Sequence, residues 1–244
     1  MNKQIGLSLF LTLTMVGQAF ADDLLQRHHW LPRIWVQAQV DGADGSATPL
    51  AADSRRWVDD TVDAMQRYYD QSVSYSADFV QIYETLDGIE KRSNGVVWFA
   101  KPGMMRWDYA KPEERYLISD GQTFWSWEPV YRQYCEQRLA ESQLPMALSF
   151  LVGEGRIRKD FSVTLVERKE SEAVLELVPF VASAAYAKIH FVIALPSARV
   201  EQAKVFDGMG NVNTLIFKSP ELNVALDATL FRFSPPKDAQ HICK

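Results

Sequence analysis

The stretch GVVWFAKPGMMRWDYAKPEERYLISDGQTFWSWEPVYRQY, residues 95–134, decides the fold. It holds four of the chain's seven tryptophans, Trp98, Trp107, Trp125 and Trp127. Its apolar residues alternate with polar ones or come in runs of about five, a strand period rather than a helix period. Turn residues separate the runs: Lys101-Pro102-Gly103, Lys111-Pro112, Asp120-Gly121 and Glu128-Pro129. The pattern predicts an antiparallel meander with a large aromatic and methionine-rich face. A face that apolar must be covered, and what covers it sets the function.

Outward from this stretch the strand signal continues. Val73, Tyr75, Ala77, Phe79, Gln81 and Tyr83 alternate with Ser74, Ser76, Asp78, Val80 and Ile82. Further strands are expected at 93–100, 104–109, 115–119, 122–127, 130–136, 160–167, 173–178, 185–194, 199–207, 211–219 and 229–233. Asp207-Gly208 and Gly210-Asn211 suit a tight hairpin. Strands spaced about ten residues apart indicate an all-β barrel or sandwich. Before them, Ser54 is placed to cap a helix running to Gln71. Its apolar stripe is Trp57, Val58, Thr61, Met65, Tyr68 and Tyr69, opposite Arg56, Asp59, Asp60, Asp63 and Gln66. The strand series breaks at 144–151, LPMALSFL, where Pro145 suits a first helical turn and Gly153 and Gly155 suit its end. This short helix is apolar almost all round, so it is either a core plug or the cover of a cavity.

The first residues read as a targeting segment. Lys3 precedes an apolar run from Ile5 to Val16, and Ala19-Phe20-Ala21 is a small-x-small cleavage site. The expected division is a signal peptide at 1–21, a poorly structured extension at 22–52 and one domain at 53–244. No cysteine lies at the cleavage site, so no lipid anchor is expected, and the product should be a soluble periplasmic protein. The formal net charge of −5 argues against nucleic acid and against anionic membrane surfaces as partners. The two cysteines are Cys135 and Cys243, and in an oxidising compartment either a bridge or two free thiols fits.

Catalytic and metal-binding patterns are not found. The histidines, His28, His29, His190 and His241, show no metal spacing, and there is no G-x-S-x-G, Cys-x-x-Cys or phosphate loop. The chain therefore reads as a non-enzyme without metal or cofactor. Its resource is apolar concave surface, which soluble proteins build for acyl chains or similar ligands.

The ordered set Gly95, Trp98, Lys101-Pro102, Arg106-Trp107, Pro112, Ser119-Asp120-Gly121, Trp125 and Gln133 resembles the LolA family of periplasmic lipoprotein carriers. Phe79-Val80-Gln81, Leu144-Pro145-Met146 and Phe231-Arg232-Phe233-Ser234-Pro235-Pro236 extend the resemblance over about 55–240. It implies a mainly β, α+β fold: an unclosed antiparallel barrel of about eleven strands, with helices forming a lid over a hydrophobic cavity. It implies a monomeric chaperone that takes acylated lipoproteins from an inner-membrane ABC transporter and hands them to an outer-membrane receptor. In the family the basic residue before the first proline is usually arginine and helps hold the lid; here it is Lys101. If Lys101 faces inward, alternation turns Val97 and Phe99 the same way, and Met105 and Trp107 share a face on the next strand. Leu144, Met146, Leu148 and Leu151 would supply the roof. Related readings are a carrier of another lipid or glycolipid, and an envelope-stress sensing module that binds lipoproteins.

Overall fold

A computed structural model describes residues 49–141, 155–182 and 186–243. The expected signal segment 1–21, the expected extension up to residue 48 and the apolar helix expected at 144–151 lie outside the described residues. Helix α1 is Pro49–Asp70. It starts earlier than the sequence suggests, so Ser54 is an interior residue and not a cap. Proline suits the first helical turn, and the alanines that follow favour helix, which is why a stretch that reads as a linker is helical. One stripe of α1 is buried, namely Val58, Val62, Met65 and Tyr69, spaced three or four residues apart as a single helix face requires.

The strands are β1 Ser74–Glu84, β2 Glu90–Ala100, β3 Met104–Tyr109, β4 Arg115–Asp120, β5 Thr123–Glu128 and β6 Gln133–Arg138. A single helical turn, α2, Ile157–Asp160, leads into β7 Phe161–Arg168, β8 Glu172–Pro179, β9 Lys188–Ala194, β10 Arg199–Phe206 and β11 Val212–Leu222. A short β12, Gln240–His241, follows. They form one 12-stranded sheet in the order β12-β6-β5-β4-β3-β2-β1-β11-β10-β9-β8-β7. Every neighbouring pair is antiparallel except β12 with β6. Two meanders, β1–β6 and β7–β11, are joined by the β1–β11 ladder, and the end strands do not meet, so the sheet is unclosed.

The sheet curls around one inner face. Trp107 of β3 and Phe217 of β11 lie three ladder steps apart, roughly 14 Å on a flat sheet. Their ring centroids nevertheless approach to 6.4 Å. Tyr75, Ala77 and Phe79 point into this face as their alternation predicts. Gly95 permits the curl locally: an added Cβ would sit 1.9 Å from the Asp108 carbonyl oxygen.

The tail covers part of the outer face. The stretch expected as a strand at 229–233 is instead a 3-10 turn at Ala228–Phe231 followed by extended chain. Asp227 dictates this, because its carboxylate accepts both the Thr229 backbone N–H and the Thr229 hydroxyl, at 2.8 Å each. Phe233 then packs near Trp125, Trp127 and Tyr134 with ring centroids 6.4, 5.9 and 6.2 Å away. Cys135 and Cys243 form a disulfide with Cα atoms 5.1 Å apart, fixing the tail to β6.

Candidate functional site

The inner face gathers four of the residues expected there. Val97 and Phe99 of β2 and Met105 and Trp107 of β3 are all buried in one apolar cluster. Register explains the set, since Val97 faces Trp107 and Phe99 faces Met105 across the β2–β3 ladder. Phe79 meets Trp107 edge-on at 4.8 Å, and Phe99 does so at 5.8 Å. Trp98, one residue out of phase, lies on the other face and is only partly buried. The same rule sorts the β5 aromatics: Phe124 is buried inward, while Trp125 and Trp127 lie under Phe233 outside. The expected roof residues Leu144, Met146, Leu148 and Leu151 lie outside the described residues.

Helix α1 covers this face. Val58, Val62, Met65 and Tyr69 belong to the same buried cluster as Phe79, Trp107 and Phe217. The inner face beneath α1 is thus filled by the protein's own side chains. A separate cleft of about 370 Å³ opens beside α1, lined by Trp57, Thr61, Ala64, Arg168, Leu195 and Ala198 among others. The Arg168 guanidinium stacks over the Trp57 ring there at 4.4 Å.

Lys101 stands at the end of β2 and grips the end of α1. Its Nζ donates to the Tyr69 carbonyl at 2.5 Å and to the Asp70 carbonyl at 3.3 Å. These are carbonyls of the last helical turn, which lack intrahelical partners and carry the negative end of the helix dipole. Burial pulls the ammonium pKa below the usual lysine value, with Asp70 acting in the opposite sense.

The polar side of α1 is bolted as well. Asp59, Asp63, Gln66 and Asp70 form one stripe, and the residues around α2 grip it. Arg158 donates to the Asp59 and Asp63 carboxylates at 2.6 Å each, and to the Asp59 carbonyl at 2.6 Å. Ile157 N donates to Gln66 Oε1 at 3.1 Å, and Arg156 reaches Asp70 at 2.8 Å. The Arg158 hydrogen bond holds the Asp63 carboxyl below its ordinary pKa. A stripe that reads as simply solvated is therefore a docking strip for the chain that leaves 144–151.

Sequence reasoning overlooked two parts of the site. The β9–β11 side, with Ile189, Phe191, Leu215 and Phe217, completes the face but lies far from the tryptophan-rich stretch. Tyr75 also belongs here, and its alternation with Phe79 was the available signal. Among the described residues no group of three or more His, Cys, Asp or Glu could hold a metal ion.

Residues 70–234 match the family model described as outer membrane lipoprotein carrier protein LolA. An outer-membrane lipoprotein carrier protein of Dechloromonas aromatica is 23% identical over 179 residues, covering 73% of this chain and 85% of that protein. One from Cupriavidus pinatubonensis is 31% identical over 147 residues, covering 60% of this chain and 68% of its own. The crystal structure of a LolA superfamily protein from Nitrosomonas europaea superposes with a TM-score of 0.42 at 14% identity, covering 72% of this chain and 97% of that one.

Proposed function

The chain belongs to the LolA family of outer-membrane lipoprotein carrier proteins, and from that premise we propose that it binds the acyl chains of lipoproteins against the inner face of its sheet. In this reading it is a periplasmic monomer that accepts cargo from an inner-membrane ABC transporter, delivers it to an outer-membrane receptor and catalyses no reaction. The observation that carries the reading is the continuous apolar face built from β1, β2, β3, β9, β10 and β11 under a separately anchored helix.

The filled state of that face fits a carrier. Each methylene moved from water to an apolar site gains about 0.8 kcal/mol, so two or three acyl chains in an empty pocket would bind too tightly to release. Here cargo must displace the α1 side chains, so its gain is set against their loss. The net affinity is a difference, which suits a protein that must take up a ligand and give it away. Residues Val97, Phe99, Met105 and Trp107 would line the acyl path, with Leu144, Met146, Leu148 and Leu151 as its roof. Depletion in the native host should leave outer-membrane lipoproteins at the inner membrane. Normal sorting without the protein would overturn the reading.

A further inference from the structure

Among the described residues Tyr75 is a donor with no acceptor. It lies on the inner face at the start of β1, 1% exposed, paired with Phe99 and Leu222 on the adjoining strands. Its ring packs 5.7 Å from Phe99 and 6.2 Å from Phe217. Its hydroxyl is fully buried and makes no hydrogen bond among the described residues. Leaving such a group unmet costs roughly 1–3 kcal/mol, and phenylalanine would fill the same space without that cost. Neighbouring Tyr69 shows the ordinary arrangement, with its hydroxyl accepting the Val200 N–H at 3.1 Å.

The surroundings define what is missing. Tyr68 and Tyr69 of α1 and, more weakly, Arg199 of β10 act electrostatically on Tyr75, and none of them is hydrogen-bonded to it. Burial pushes the Tyr75 phenol far above its usual pKa, so it stays a neutral donor at any physiological pH. A buried hydroxyl that stays neutral calls for an oxygen that accepts its hydrogen. Within an otherwise apolar face, a group that brings such an oxygen together with hydrocarbon is an acyl ester or amide carbonyl.

We infer that the Tyr75 hydroxyl is the hydrogen-bond donor that receives the carbonyl oxygen of an acyl chain, fixing the depth at which the chain enters the inner face. This rests on the acyl-carrier reading and names the polar element within it. The hydroxyl is unmet while α1 lies on the sheet and is satisfied when an acyl carbonyl replaces the α1 side chains.

The test compares wild type with Tyr75→Phe, using dioctanoylglycerol and its ether counterpart 1,2-di-O-octylglycerol, which has the same chains but no carbonyls. Wild type should bind the ester roughly 3- to 10-fold more tightly than the ether, the worth of one buried hydrogen bond. Tyr75→Phe should bind the two alike, and its melting temperature should equal or exceed that of wild type, because only an unmet hydroxyl has been removed. An ester preference that survives in Tyr75→Phe overturns the inference while leaving the carrier reading standing. Failure of wild type to bind either probe removes the acyl pocket itself, and the inference with it.

Discussion

Replacing Lys101 with methionine keeps the apolar stem but removes the ammonium that holds the last turn of α1. A hydrogen bond from a charged group contributes about 1.5–3 kcal/mol, and a cation at a helix C-terminus adds about 0.3–1 kcal/mol. The bond to the Tyr69 carbonyl is short, but that to Asp70 is 3.3 Å, and Lys101 is only partly buried. These facts place the loss near the low end, about 1.5 kcal/mol. For a domain of this size that lowers the melting temperature by roughly 3–6 °C. The loss is local, because Val58, Val62 and Met65 remain packed on the sheet. Amides of the last turn of α1 should therefore exchange with solvent about tenfold faster, while those of the central strands change little. Hydrogen exchange resolved by residue, with a thermal melt alongside, is the assay. Unchanged exchange in the last turn would refute the assignment of Lys101 as the latch on α1.

Other outcomes follow from the same geometry. Cys243→Ser opens a loop spanning 108 residues, for which chain entropy gives about 4–5 kcal/mol; urea unfolding followed by tryptophan emission should show a markedly lower midpoint, and an unshifted midpoint would mean that the tail holds without its bridge. Gly95→Ala drives a Cβ to within 1.9 Å of the Asp108 carbonyl, so a loss of about 1–3 kcal/mol is expected, and a melting curve like wild type's would contradict the close strand approach. The Asp63 pKa is lowered in the fold, so its contribution is present above the ordinary carboxylate value of 3.8 and is lost as pH falls through the folded value. Arg158→Gln should flatten that acid limb of a stability-against-pH profile, by a small amount because the pair is exposed; an identical limb would show that the Arg158 fork contributes nothing.

Local periodicity made most of the sheet legible. Alternation from Tyr75 to Gln81 and from Val97 to Trp107 fixed which residues point inward, because a strand has only two sides and the buried one must be apolar. The start of α1 was obscured because Pro49 and the following alanines resemble a linker in composition while suiting a helix in conformation. The strand expected at 229–233 failed because one carboxylate, Asp227, redirects the backbone, and alternation does not register side-chain capping. Between a Cys135–Cys243 bridge and two free thiols the sequence left the choice open, since the meeting of the two depends on the tail returning over more than a hundred residues. The grip of Arg156 and Arg158 on α1 was equally hidden: an acidic stripe looks the same in sequence whether water or an arginine faces it.

The course of the tail has a consequence for self-association. A sheet polymerises only when both of its margins can accept another strand. At one margin β12 and the bridged Cys243 already lie along β6. Among the described residues the open margins are thus unequal, the two residues of β12 against the eight of β7. Strand addition is therefore favoured at β7 and hindered at the short, tethered margin beyond β6, which works against the two-ended growth that a fibre needs.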